Sequence, residues 1–255
     1  MDRLIYSALT GISEFNHPRF QLNNEIANIS TVGFKRSFIN ASRSVKISGE
    51  GFDSRFTPTN VSRDQISLDS GPLLFTGNNT DIAMNDHTVL GVSNSKGELA
   101  FTRRGDLRVN NAGLLETGNG LAVRGQNGPI SIPAGYTISF TEDGSVFAQQ
   151  SGKAPGTPPV LVGRLMLRDA SQVKLQRSSD GLFETREAAD GGNRDITNGK
   201  FPPSITPQSV EGSNVAPYEA MVRLLEMNRL FESNIKMIKE AKSIDESGAS
   251  MMKAS

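Results

Sequence analysis

The stretch DRLIYSALTGISEFNHPRFQLNNEIANI, residues 2–29, decides how the chain is read. Its apolar residues Ile5, Ala8, Ile12, Phe15, Leu22, Ile26 and Ile29 keep a three-four alternation, with Arg19 the one polar interruption. That alternation lays an apolar seam along one side of a helix, and such a seam needs another helix to cover it. The far end of the chain repeats the pattern in Met221, Leu224, Phe231, Ile235 and Ile238, interrupted by Asn228. The spacing predicts a helix over residues 2–29, about 40 Å long, and a second from Pro217 to about Ser247-Gly248, about 46 Å long. Pro18 stands inside the first; a proline there removes a hydrogen bond at about 3 kcal/mol, so a kink or break is expected near Asn16-His17. Gly33 reads as the C-terminal cap, and Pro217 suits a first turn. Glu219–Arg223 and Glu232–Lys236 stand at i,i+4 spacing with Glu first.

Between these ends the character changes. Of 25 glycines, 19 lie from Gly71 to Gly199, so the middle is turn-rich and the ends are not. Residues 36–70 are polar with no clean apolar period and read as a linker or extended segment. Residues 71–200 read as all-β: Asp143-Gly144 between Ile138–Thr141 and Ser145–Ala148 is a hairpin signal, and Asn119-Gly120, Asn127-Gly128 and Asp180-Gly181 mark further turns. Strands are expected at Thr88–Val92, Leu99–Arg103, Ile130–Ile132, Val160–Leu167 and Val173–Gln176. Residues 201–216, opened by Pro202-Pro203, form a second linker. The expected fold class is therefore α+β: long N- and C-terminal helices (residues 1–35 and 217–255) forming a coiled-coil-like assembly domain, with a central irregular all-β domain.

Composition narrows the chemistry. With 27 basic and 27 acidic residues the net charge is zero, which gives no basic surplus for nucleic acid or an anionic membrane. There is no Cys, so disulfides and thiolate metal sites are excluded. The N-terminus lacks a basic segment followed by a long apolar run, so no cleaved signal peptide is expected. No run of about 18 apolar residues is present, so no membrane insertion is expected. His17 and His87 are far apart and make neither a metal pair nor a triad. Gly118-Asn119-Gly120 with Gly125 is followed by no Lys-Ser or Lys-Thr and reads as turns rather than a phosphate loop. No catalytic, cofactor or metal site is expected. Arg103-Arg104 fits either an ion-pair knot in the body or a subunit contact.

Three stretches carry a family resemblance. Residues 24–36, Asn24-Glu25-Ile26-Ala27-Asn28-Ile29-Ser30-Thr31-Val32-Gly33-Phe34-Lys35-Arg36, resemble the N-x-hydrophobic-A-N-x-x-T-x-G-F-K signature of the bacterial flagellar rod and hook proteins. Residues 210–221, Val210-Glu211-Gly212-Ser213-Asn214-Val215-Ala216-Pro217 and onward to Met221, resemble that family's C-terminal signature. Asp81-Ile82-Ala83, Thr102-Arg103-Arg104-Gly105-Asp106-Leu107 and Gly113-Leu114-Leu115 match it in the middle. The chain departs from the pattern at Pro18 and at Asp86-His87-Thr88, where relatives often carry Gly-Phe-Phe. The opening hexapeptide and the run from Gly163 to Phe183 are most similar to proximal-rod subunits, with a distal rod or hook-type subunit as the alternative.

The resemblance implies a structural subunit of the basal-body rod, lying in the periplasm. It would be exported by the flagellar export apparatus without a cleaved signal, and would polymerise through its terminal helices to carry torque from motor to hook. Its implied partners are other rod proteins and copies of itself. A cell-wall-acting enzyme or a sugar-binding β domain is the alternative of another class; it needs a carboxyl pair or metal set in a cleft, and none stands out. On the residues alone, the signature around Asn24 and Asn28 reads first as a helix stop; the resemblance favours an assembly contact. The expected assembly residues are Ile5, Ile12, Leu22, Asn24, Ile26, Asn28, Gly33 and Phe34 at the front, and Asn214, Pro217, Met221, Leu224, Phe231, Ile235 and Ile238 at the back.

Overall fold

The computed structural model describes residues 9, 11–13, 16–38, 42–46, 56–60, 65–150, 158–185, 194–196 and 199–253. The chain divides into two units. A terminal unit draws on residues 1–27, 39–63 and 216–255, and a body draws on residues 28–38 and 64–215.

In the terminal unit, helix α1 spans Asn16–Ala27, preceded by helical residues 11–13. Strands β1 (Ser42–Lys46) and β2 (Phe56–Asn60) pair antiparallel, Ser42 opposite Asn60 and Lys46 opposite Phe56. The long C-terminal helix runs Pro217–Lys253 over 37 residues, about 55 Å. It begins at Pro217, with the Ala216 carbonyl accepting the Ala220 N–H at 3.0 Å. This helix and α1 lie against one another. On α1 the buried residues are Leu22 and Glu25. On the C-terminal helix Ala220 and Ala241 are buried, with Leu224, Met227, Asn234, Ile235 and Ile238 half-buried between them. Glu219–Arg223 forms as expected, whereas Lys236 faces Glu240 rather than Glu232.

These helices correct the expected fold class. Only the C-terminal helix is long; α1 has 12 residues, about 18 Å, and the two do not form a coiled coil. Pro18 is the physical reason at the front. It occupies the first turn of α1, where the N–H it lacks would have no intrahelical partner, so it starts a short helix instead of bending a long one. At the other end α1 stops at Ala27, the Asn28 carbonyl accepts the Thr31 N–H at 3.2 Å, and Gly33 takes φ +69°. Helices of such unequal length share no continuous seam, and Phe20 of α1 stays largely exposed.

The body holds β3 (Leu73–Phe75), β4 (Ile82–Met84), β5 (Thr88–Ser93), β6 (Leu99–Thr102), β7 (Leu107–Val109), β8 (Leu115–Thr117), β9 (Arg124–Gly125), β10 (Gly128–Pro129), β11 (Tyr136–Phe140), β12 (Ser145–Gln150), β13 (Val160–Arg164), β14 (Leu167–Asp169), β15 (Leu175–Arg177), β16 (Phe183–Thr185), β17 (Ile205–Pro207) and β18 (Ser209–Glu211). The main sheet has the order β14-β5-β6-β16-β15, with antiparallel neighbours throughout. A second sheet, β11-β12-β13, contains the expected hairpin, with Phe140 opposite Val146 and Gly144 at φ +80°. There the Thr141 and Ser145 hydroxyls donate to the Asp143 carboxylate and hold it well below its usual value, at about 2.

Alternation along the main sheet feeds two cores. Leu90 and Val92 of β5 enter one with Ile82, Leu115 and Val146; Val89, just before them in the sequence, enters the other with Phe101, Leu175 and Phe183. Successive side chains of a strand point to opposite faces, so a strand covered on both sides reads as a continuous apolar run, as Val89–Val92 does. The expected single strand Val160–Leu167 is two, because the chain changes sheets: the Leu165 N–H donates to the Gly144 carbonyl and the Met166 N–H to the Arg124 carbonyl. Ile130–Ile132 is not a strand; Ser131 bridges Leu114 alone. Asp169, at the end of β14, accepts the Ser171, Lys200 and Phe201 N–H groups and the Ser171 hydroxyl. Burial pushes its carboxyl up, but these donors outweigh that and hold it below its usual value.

Phe101 is fully buried in the second core. Phe101→Ala is expected to cost about 3–5 kcal/mol, measured by urea unfolding, whereas Val160→Ala at an exposed edge position is expected to change stability by less than about 0.5 kcal/mol.

Candidate functional site

Three charged side chains meet in the body with almost no exposure. Arg103 follows directly on β6, Glu211 closes β18, and Lys35 follows the turn at Gly33. The Lys35 ammonium donates to Glu211 Oε1 at 2.6 Å and to the Asp69 carbonyl at 2.7 Å. Arg103 Nε donates to Glu211 Oε2 at 2.7 Å, and Arg103 Nη2 lies 2.7 Å from the same oxygen. The rest of the guanidinium serves backbone carbonyls: Nη2 that of Met84 at 2.8 Å, and Nη1 those of Thr88 at 3.1 Å and of Asp86. The Gly71 N–H adds a further donor to Glu211 Oε1 at 2.9 Å. Buried charges persist only when paired and hydrogen-bonded, and here each of them is.

Two glycines make the knot possible. The Gly33 N–H donates to the Glu211 carbonyl at 2.7 Å, and a side chain at Gly33 would collide with the Arg103 carbonyl. Its φ of +69° favours glycine independently. A side chain at Gly105 would strike the Ile82 carbonyl, which accepts no neighbour larger than hydrogen there. Around the charges, Asn214 ties separate segments together. Its Oδ1 accepts the Arg36 N–H at 2.7 Å, its Nδ2 donates to the Ser67 and Asp69 carbonyls at 3.2 and 3.1 Å, and its N–H donates to the Phe34 carbonyl at 3.3 Å. The Arg177 guanidinium covers the Phe34 ring at 4.3 Å and donates to the Lys35 carbonyl.

The knot joins all three stretches that carried the family resemblance. Of the expected assembly residues it gathers Gly33, Phe34 and Asn214. Asn28 accepts the Thr31 hydroxyl at 3.1 Å at the start of this segment. In the terminal unit Leu22 is buried, Ile12, Ile26, Leu224, Ile235 and Ile238 are half-buried, and Asn24, Pro217, Met221 and Phe231 are exposed. Ile5 lies outside the described residues. Sequence reasoning missed Lys35, Asp69 and Glu211 as site residues; it singled out Arg103, and the structure resolves that alternative in favour of an ion-pair knot within the body. Arg104 pairs with Asp106 at 2.6 Å. The visible signal was charged residues set among glycines, Gly33-Phe34-Lys35 and Glu211-Gly212. Among the described residues no group of three or more His, Cys, Asp or Glu could hold a metal, and no helix is long and apolar enough to cross a membrane.

Comparison with known proteins follows the same stretches. The family described as "Flagellar basal body rod FlgEFG protein C-terminal" matches residues 206–251, and "Flagellar hook protein FlgE/F/G D1 domain" matches residues 85–148. The flagellar basal-body rod protein FlgF of Salmonella typhimurium is 35% identical over 96% of this chain and 95% of its own length. This chain belongs to the flagellar basal-body rod protein family. FlgF of Escherichia coli is 30% identical over 93% of each chain, and FlgG of Bacillus subtilis 26% identical over 93% of this chain and 94% of its own.

Two cations share one carboxylate here, and the electrostatics follow. Burial, then the nearby Arg103 charge, push the Lys35 ammonium down to about 8 from 10.5, with Glu211 opposing them. Between those values the unfolded chain holds a proton on Lys35 that the folded chain has shed, so this residue makes stability rise with pH; below about pH 8 its penalty is fully present. Lys35→Met is expected to flatten that rise, measured by urea unfolding at about pH 8 and about pH 10.5. Glu211→Ala strands both cations and is expected to cost about 3–5 kcal/mol. Asp86 holds φ +46° while its carbonyl serves Arg103, so Asp86→Gly keeps that bond and relieves the left-handed strain; thermal unfolding should show a gain of up to about 1 kcal/mol.

Proposed function

We propose that this chain is a structural subunit of the flagellar basal-body rod, of the proximal-rod type, and not an enzyme. The observation that carries the reading is the meeting of residues 33–36, 103 and 211–214 in one buried knot. The chain passes between body and terminal unit after residues 27, 38, 63 and 215. Within the body, the hydrogen bond from the Asn214 N–H to the Phe34 carbonyl ties the short segment 28–38 to the end of the long one. A subunit that passes torque along a rod needs a body that does not yield, and a knot of buried, directional bonds holds the body's own segments in register where apolar contact alone would slide.

The proximal-rod type rests on FlgF relatives at 35% and 30% identity, against FlgG relatives at 28% and below. Neighbouring rod proteins and further copies of the chain are its partners, joined through the terminal residues named above. Met221 is 55% exposed and Phe231 38% exposed, so both are open to such contacts. Its place is the basal-body rod in the periplasm, reached through the flagellar export apparatus.

Met221→Asp combined with Phe231→Asp is expected to abolish swimming and rod incorporation. Urea unfolding of the purified chain should shift by less than about 0.5 kcal/mol, as usual for exposed sites. Normal motility of a host carrying only this variant would sink the assignment of these contacts.

A further inference from the structure

The β3–β18 ribbon has one open edge. β3 pairs with β18 with Leu74 opposite Val210, the Gly212 N–H donates to the Pro72 carbonyl, and the Thr76 N–H donates to the Gln208 carbonyl. Antiparallel ladders alternate, so Pro72, Leu74 and Thr76 face β18, while the N–H and C=O groups of Leu73 and Phe75 point to the other side. β18 uses its own outer side: the Glu211 carbonyl accepts from Gly33. No described strand lies along the outer side of β3.

This edge is also apolar. Leu73, Leu74 and Phe75 are 58%, 52% and 77% exposed. Residues 71–80 carry no charge, and no lysine or inward-pointing charge guards the strand as edge strands usually require. What fits two outward donors, two outward acceptors and uncharged side chains is another extended, uncharged strand.

We propose that β3 pairs antiparallel with β3 of a second copy of this chain. The register is self-complementary about Leu74: Leu73 of one copy and Phe75 of the other exchange both backbone hydrogen bonds, twice over, and the two Leu74 side chains face each other. Absence of charge leaves no like-charge repulsion in such a self-pair. Three exposed side chains offer far less than the roughly 800 Å² per partner of a stable interface, so the dimer forms at high concentration and dissociates readily. The contact is isologous and closes on itself, so it cannot extend a head-to-tail array.

The chain has no Cys, so Leu74→Cys creates a lone thiol whose disulfide must join two copies. A non-hydrogen-bonded antiparallel pair sets Cα atoms about 4.5 Å apart, within disulfide range. Under mild oxidation Leu74→Cys is expected to cross-link at least about tenfold faster than Asn111→Cys at an exposed turn. In sedimentation equilibrium, Leu74→Lys and Leu74→Glu should each weaken self-association at least about tenfold, and an equimolar mixture of the two should restore it. A wild-type chain that stays monomeric up to about 1 mM, a Leu74→Cys variant no faster than the Asn111→Cys control, or a mixture that fails to recover would each overturn the proposal.

Discussion

The Glu211 carboxylate organises the body. One side chain, 3% exposed, accepts from Lys35, Arg103 and the Gly71 backbone. Through Arg103 it also reaches the carbonyls of Met84, Asp86 and Thr88, which lie on β4, in the turn after it, and on β5. Beside the same residue, the Gly33 N–H finds its acceptor on the Glu211 backbone. A buried ionic set of this kind adds little net stability over apolar residues of equal volume, yet leaving any member unpaired is costly. Its effect is to make one arrangement of segments far better than its neighbours.

The two cores supply the apolar energy, and the knot supplies registry. β5 shows how they meet. Its side chains alternate between cores, its Thr88 carbonyl accepts from Arg103, and its Leu90 stands opposite Leu167 of β14. Asp169 at the end of β14 then gathers the Lys200 and Phe201 N–H groups, which leads the chain toward β17 and β18. The path back to Glu211 is thus held by polar contacts at its start and its end.

Much of this was legible in the residues, and the failures have physical causes. The β character of the middle, the Asp143-Gly144 hairpin and the start of the last helix at Pro217 were readable because turn chemistry and proline geometry are local. The broken strand at Leu165-Met166 was not, since its apolar run is continuous and the break is decided by which carbonyl each N–H finds. The length of the first helix was misjudged because the apolar spacing runs on through Pro18, so the proline was read as a kink or break within one long seam rather than as the first turn of a short helix. The hairpin β1–β2 arises in a polar stretch with no alternation to reveal it. Beyond the glycines beside Lys35 and Glu211, these residues and Asp69 carried no local sign of a shared site; only the fold brings them together with Arg103.

Lys35 and Glu211 are 176 residues apart, and Arg103 and Glu211 are 108 apart. Contacts of such sequence separation form late, because long loops must close before any reward is gained. A chain synthesised amino end first therefore exposes two cations long before their shared anion arrives. Until about the first five-sixths of the polypeptide is made, up to Glu211, the body has no finished state to settle into.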